Sequence, residues 1–154
     1  MTPAVEIRPA RSDETEALRQ IAIEAKSFWG YELELVREWA QELEPSPRPG
    51  RAVFVAEADG EVAAWAAVNE PAEGVAWLDD LWVRPEWIRR ARIGSLLFAH
   101  ALDWARGRDA RALELEAEPN AVDFYAKLGC VRVREQVSEW GRTLPVMALR
   151  LQGR

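Results

Sequence analysis

Between positions 52 and 83 the sequence leaves helical spacing for three apolar, strand-like runs, interrupted by two short glycine turns. Residues 52–58 and 62–68 read as strands joined by the tight turn Asp59-Gly60, and residues 75–83 read as a third strand after Glu73-Gly74. The rest of the chain has to arrange itself around this meander. Val5-Glu6-Ile7-Arg8 alternates and is expected as a first strand. Ser12 stands as an N-cap, with Asp13 and Glu14 in the first turn, ahead of Leu18, Ile21, Ala22, Ala25 and Phe28 at helical spacing. Residues 32–44 are expected as a second helix with Leu35, Val36, Trp39 and Leu43 on one face, ended by the proline-rich stretch 45–50. Beyond Pro85, residues 86–106 pattern as an amphipathic helix with Ile93, Leu97, His100, Ala101 and Trp104 turned inward. Residues 112–117 form a strand, Pro119-Asn120 opens a short helix that ends at Gly129, and residues 131–137 and 144–151 close as a strand pair around Gly141. The order β-α-α-β-β-β-α-β-α-β-β mixes an antiparallel meander with a βα crossover. The expected class is therefore α+β, a mixed, mostly antiparallel central sheet of about seven strands flanked by helices. At 154 residues the chain is expected to be one domain, 1–154.

Composition removes several kinds of chemistry. Cys130 is the only cysteine and His100 the only histidine. A disulfide framework, a zinc cluster and a Ser-His-Asp triad all lack raw material, so no metal is expected. Cys130 reads as a small buried apolar residue and His100 as structural. No apolar run reaches the ~18 residues of a membrane span, and the first residues lack a basic segment followed by an apolar one. The expected compartment is the cytoplasm, with no membrane partner. The formal charge is 20 − 26 = −6. That argues against nucleic acid, and serves solubility before it says anything about a cationic or neutral partner. The eight tryptophans are expected in the core or lining a pocket. Trp140, on the closing strands, suggests a possible homodimer through a sheet edge.

The stretch Leu78-Asp-Asp-Leu-Trp-Val-Arg-Pro-Glu-Trp-Ile-Arg-Arg-Ala-Arg-Ile-Gly-Ser-Leu-Leu97 carries the most chemistry. It reads as a strand, a basic turn and the start of an amphipathic helix. The free N–H groups of a helix N-terminus form an anion site. Arg89, Arg90 and Arg92 add charge there, and Gly94 permits close backbone approach. A pyrophosphate fits such a turn.

These residues resemble the GNAT-type N-acetyltransferase superfamily. Arg89-Arg90-Ala91-Arg92-Ile93-Gly94 is similar to the family's Arg/Gln-x-x-Gly-x-Gly/Ala turn, with Arg92 where the first glycine is usual. Glu118-Pro-Asn-Ala-Val-Asp-Phe-Tyr-Ala-Lys-Leu-Gly-Cys130 resembles its Asn-x-x-x-x-Phe-Tyr-x-x-x-Gly-Phe segment, and Val83-Arg84-Pro85 fits its Val-x-Pro. The resemblance implies acetyl-CoA as co-substrate and direct transfer of the acetyl group to a primary amine in a ternary complex. It implies that Leu81, Trp82 and Val83 line the pantetheine arm. It also implies that Arg89, Arg90, Ala91, Arg92, Ile93, Gly94 and Ser95 hold the phosphates, and that Asn120 and Tyr125 touch the cofactor.

Individual residues keep alternatives. Tyr125 either protonates the departing thiolate or packs beside Phe124. Asn120 either contacts the cofactor or caps a helix. Asp79 shares a strand face with Trp77, Leu81 and Val83, and Asp80 faces the other way. Asp79 could act through water as general base, or bind the acceptor ammonium as counter-ion. Trp29 and Tyr31 lie where the family often builds its acceptor pocket, and either meet the amine by cation–π attraction or pack in the core. The rival to an enzyme is a non-catalytic CoA-binding regulatory or interaction module. The acceptor could be a protein N-terminus or lysine, a polyamine, an antibiotic or a free amino acid.

Overall fold

Two glycine turns set the centre of the computed structural model, which describes residues 4–138 and 141–151. Asp59 and Gly60 have φ of 52° and 83°, and Glu73 and Gly74 have φ of 53° and 84°. Positive φ at both central residues gives the two-residue turn whose twist matches an antiparallel hairpin. Gly74 has a second reason to be glycine. A Cβ there would lie 2.3 Å from Arg111 Nε, and the Arg111 backbone N–H donates to the Gly74 carbonyl at 2.7 Å.

In chain order the elements are β1 (Val5–Pro9), α1 (Thr15–Phe28), α2 (Leu33–Ala40), β2 (Arg51–Ala58), β3 (Glu61–Ala72), β4 (Val75–Val83), α3 (Ile93–Arg106), β5 (Ala112–Glu116), α4 (Val122–Lys127), β6 (Val131–Val137) and β7 (Thr143–Arg150). The seven strands form one sheet in the order β1-β2-β3-β4-β5-β7-β6. β1 runs antiparallel to β2, and β7 runs antiparallel to both β5 and β6. β4 and β5 are parallel, with Val75–Trp77 in register with residues 112–114. The expected α+β class and element order are those observed.

Two compact units divide the chain, Met1–Ala67 with Asp80–Ala101, and Val68–Asp79 with Leu102–Arg154. In the first, Leu18, Ile21, Ala22 and Ala25 of α1 and Val36, Trp39 and Ala40 of α2 are buried. Every residue from 63 to 67 of β3 is buried as well. That run is Ala-Ala-Trp-Ala-Ala, and its small side chains let neighbours approach closely. Trp65 is fully buried, and its indole N–H is satisfied by the Leu18 carbonyl at 2.7 Å. Phe28 and Leu35 depart from expectation, at 58% and 50% exposed. Periodicity identifies a helix face, but these two lie at its margins. The second helix also stops at Ala40, because the N–H groups of residues 41–43 bond three residues back and tighten the chain.

Ser12 does not cap the first helix. Ser12–Glu14 is a 3₁₀ turn, and the Glu14 carboxylate accepts from the Arg11 backbone N–H at 2.7 Å. The Arg8 guanidinium donates to both Glu14 oxygens, at 2.9 and 2.7 Å, and also to Glu57 on β2. The Arg8 bonds, ahead of every other influence, hold the Glu14 carboxyl at about 2 against an ordinary 4.5. A lowered carboxyl pKa contributes stability above the unfolded value and loses it as pH falls. This contribution is expected to drain away between about pH 4.5 and about pH 2. Glu14→Gln is expected to cost about 1–3 kcal/mol at pH 7. In urea titrations at descending pH, the gap between variant and wild type should close. A gap unchanged by acid would refute this account.

In the second unit Leu113 and Leu115 of β5 and Val146 and Met147 of β7 are buried, with Leu115 in register with Met147. β6 is the edge strand, and all its residues but Gln136 are exposed. Trp140 lies outside the described residues. Among the described residues no helix is long and apolar enough to cross a membrane.

Candidate active site

The first unit holds the end of β4 and the basic turn. Along β4, Leu78 and Asp80 are buried while Asp79 is exposed and Leu81, Trp82 and Val83 are half-buried. This is the period-two alternation expected for the paired acids. The register with β5 ends at Trp77, so Leu81 and Val83 extend beyond it. Arg84 anchors the strand end. Its backbone N–H donates to the Ala63 carbonyl at 2.9 Å, its Nε to the Val62 carbonyl at 2.8 Å, and its Nη1 to Glu24 at 2.9 Å.

The expected helix 86–106 begins later than its pattern suggests. Pro85–Trp87 form a 3₁₀ turn. Trp87 is buried, and its indole N–H donates to Glu61 at 2.7 Å. The Arg90 guanidinium lies 4.0 Å from the centre of the Trp87 ring. Arg89, Ala91 and Arg92 then have φ of 66°, 56° and 53°. Three left-handed residues cannot continue a helix, so α3 starts at Ile93, whose buried side chain anchors the turn. Ile93, Gly94 and Ser95 occupy the first turn, where N–H groups have no intrahelical acceptor. Backbone N–H groups in such alternating conformations make a concave anion site. Arg89, Arg90 and Arg92 are exposed around it.

Arg92 thus keeps the backbone conformation that glycine adopts freely. A left-handed non-glycine residue costs roughly 1–2 kcal/mol, and glycine returns about 0.5–1 kcal/mol of that through its freer unfolded chain. Arg92→Gly is therefore expected to raise the Tm of the ligand-free protein by a few degrees. Thermal unfolding measures this directly, and a lowered Tm would mean that the arginine side chain stabilises the turn by contacts that outweigh its strain.

The aromatic residues after α1 meet a cation, but it is the chain's own. Lys26, only 6% exposed, places its Nζ 4.0 Å from the ring centre of Trp39, 5.4 Å from Tyr31 and 5.8 Å from Trp82. Trp29 turns away, 41% exposed, with its ring edge-on to Phe28 at 5.3 Å. Beneath this cluster the buried Arg51 guanidinium meets the buried Asp80 carboxylate at 3.3 Å, and Asp80 accepts the Trp82 indole N–H at 2.9 Å. Sequence reasoning passed over Lys26 and Arg51. The signal was present: Lys26 follows Leu18, Ile21, Ala22 and Ala25 on the buried face, and Arg51 shares a strand face with Val53 and Val55.

Asp79, Asn120 and Tyr125 belong to the second unit. Asn120 is exposed within the 3₁₀ turn Pro119–Ala121, where Glu118 and Ala121 hold the capping positions. Its reading as a helix cap is therefore corrected. Tyr125 is 7% exposed on α4. Its carbonyl accepts from the backbone N–H groups of Leu128 and Cys130 at 3.1 and 3.0 Å, and its ring meets Phe124 edge-on at 5.0 Å. Burial pushes the Cys130 thiol up to about 11. It therefore stays protonated at neutral pH and is no nucleophile. His100, expected inward, is exposed at the margin of α3, its ring 4.5 Å from that of Phe54. Among the described residues no three His, Cys, Asp or Glu side chains are grouped to hold a metal ion.

A family model described as the acetyltransferase (GNAT) family matches residues 15–130. Among solved structures, the chain is similar to the PaiA N-acetyltransferase of Thermoplasma acidophilum in complex with coenzyme A. Identity there is 18% and the TM-score 0.77, covering 96% of this chain and 99% of that one. A GCN5-related N-acetyltransferase of Rhodopseudomonas palustris gives 23% identity and a TM-score of 0.79, over 98% and 97% of the two chains. The ribosomal-protein-S18-alanine N-acetyltransferase of Escherichia coli gives 21% and 0.71, over 96% and 94%. A search of curated proteins finds no match.

Proposed function

The chain belongs to the GNAT acetyltransferase family, whose members draw on acetyl-CoA, and on that premise we propose that it hands the acetyl group directly to a primary amine within a ternary complex. The observation that carries the reading is the turn 89–95, which keeps the left-handed backbone of a glycine-rich phosphate loop although arginine and alanine occupy it. Its N–H groups and the exposed Arg89 and Arg92 grip the pyrophosphate. The backbone of Leu81 and Val83, beyond the β5 register, binds the pantetheine arm and polarises the thioester carbonyl. The amine nitrogen forms the new C–N bond as the C–S bond breaks. The Tyr125 hydroxyl gives its proton to the departing sulfur, and water carries off the proton that the nitrogen sheds. Asn120 contacts the cofactor.

Asp79 is an exposed carboxylate, suited to receive an incoming ammonium as counter-ion or to take its proton through water. Trp29, with its exposed ring, is the acceptor contact of the aromatic pair. Lys26 already lies over Tyr31, so an ammonium on the same face of that ring is opposed. Both units act in one domain, since a single family match runs through both. The protein works in the cytoplasm, without nucleic acid, and a homodimer through the exposed edge strand β6 is its expected assembly.

Acetyl-CoA at about 100 times its Kd is expected to stabilise the protein by roughly 2.7 kcal/mol, a Tm rise of roughly 5–10 °C, whereas ATP and NAD leave Tm unchanged. No rise with acetyl-CoA would sink the reading. A rise without turnover of any amine in an acceptor screen would instead establish a CoA-binding module.

A further inference from the structure

A lysine on the buried face of a helix needs a physical reason, because removing an ammonium from water is costly. Lys26 is buried on α1, and three ring systems surround its charge. Trp39 lies on α2, Tyr31 on the connection between α1 and α2, and Trp82 on β4. Aromatic faces attract a desolvated cation through their quadrupole. Trp82 is held from a second direction, since its indole N–H donates to Asp80, itself paired with Arg51. One ammonium thus ties α1, the segment after it, α2 and β4 together.

We propose that Lys26 is a positioning residue whose boxed ammonium fixes Trp82 and thereby aims the flanking Leu81 and Val83 backbone at the thioester. The proposal rests on the acyl-transfer reading above. The coupling follows from strand geometry. Neighbouring residues of a strand face opposite ways, so a side chain pinned at position 82 sets the rotation of the peptides on either side. Catalysis by backbone N–H groups depends on donors held at the developing oxyanion, and small misplacement costs rate steeply. The phosphate turn is anchored elsewhere, by Trp87 on Glu61 and by Ile93 in the core. Losing the box should therefore leave acetyl-CoA binding intact and impair only how the thioester is held.

The test compares wild type with Lys26→Met, which keeps the apolar stem without the charge, and Lys26→Arg, which restores a cation. Calorimetry gives the Kd for acetyl-CoA. Infrared difference spectra of bound acetyl-CoA labelled with 13C at the thioester carbonyl report its polarisation without any acceptor. Release of CoA with hydroxylamine as surrogate nucleophile gives kcat. Lys26→Met is expected to keep Kd near wild type, to lose most of the carbonyl frequency shift, and to lower kcat roughly tenfold to a hundredfold. Lys26→Arg should recover most of both. A Lys26→Met protein with wild-type carbonyl frequency and kcat overturns the role of Lys26 alone. Wild type that fails to bind acetyl-CoA overturns the acyl-transfer reading and this role with it. Should Lys26→Met not fold, Tyr31→Leu removes one ring of the box at a half-buried position and must reproduce the loss of the carbonyl shift. An unchanged carbonyl there overturns the proposal.

Discussion

Tyr125→Phe is expected to lower kcat for acetyl transfer by roughly 10²-fold or more while leaving the Kd for acetyl-CoA nearly unchanged. The substitution removes one oxygen and keeps the ring, so the edge-on contact with Phe124 and the backbone bonds to the Tyr125 carbonyl survive. Stability should change only modestly. On the proposed role as proton donor, the lost interaction is made only in the transition state. A thiolate leaving an acyl carbon is a good base, and a phenol with an ordinary pKa of ~10 is a suitable donor once water is excluded. Without the hydroxyl the sulfur must depart as an anion or wait for water. The effect should therefore fall on kcat and kcat/KM equally, the signature of an interaction made only in the transition state. Acceptors screened against wild type and variant in parallel, with CoA release followed by a thiol reagent, make the measurement. A kcat within about twofold of wild type would return Tyr125 to a packing role beside Phe124.

What the sequence made legible, and what it hid, follows from how local each signal is. The hairpins were readable because Asp59-Gly60 and Glu73-Gly74 are local chemistry, since a two-residue turn demands positive φ where such residues stand. The acids at 79 and 80 were readable as facing opposite ways because strand alternation is equally local. The start of α3 was hidden. Arg89 and Ala91 carry no mark of left-handed backbone, the mark at Arg92 is only the glycine usual there in the family's turn, and the composition of all three suits a helix. Only the surrounding structure, with Trp87 pinned to Glu61, imposes the turn. Phe28, Leu35 and His100 fit the helical period but lie at the margins of their stripes, which periodicity cannot distinguish from the centre. The resemblance of residues 89–94 and of the Phe124-Tyr125 segment to a family could be read because each is a short continuous string. The Lys26 box could not be assembled in advance, since it joins positions 26, 31, 39 and 82, and nothing local to any one of them announces the others.

The largest stability loss is expected from Asp80→Ala, at roughly 3–5 kcal/mol. The Arg51 and Asp80 side chains are 2% and 4% exposed, and they meet at 3.3 Å. Their mutual attraction does not make such a pair a strong net stabiliser, because both charges were taken out of water to form it. Breaking it is another matter. Alanine withdraws the carboxylate from a guanidinium that stays buried and from the Trp82 indole N–H, and adds a cavity. For a domain of this size the loss corresponds to a Tm decrease of about 10 °C or more. Asp80→Asn separates the contributions. Its amide oxygen still accepts the indole N–H but supplies no charge, so it should recover only part of the loss. The double variant Arg51→Met/Asp80→Leu removes the desolvation cost together with the attraction. It is expected to lie well above Asp80→Ala and close to wild type. With the single variants Arg51→Met and Asp80→Leu added, the unfolding free energies of wild type, the two singles and the double give the coupling energy as a double-mutant cycle. Were Asp80→Ala to match wild type within about 1 kcal/mol, solvent would have to reach Arg51 far more freely than its burial implies.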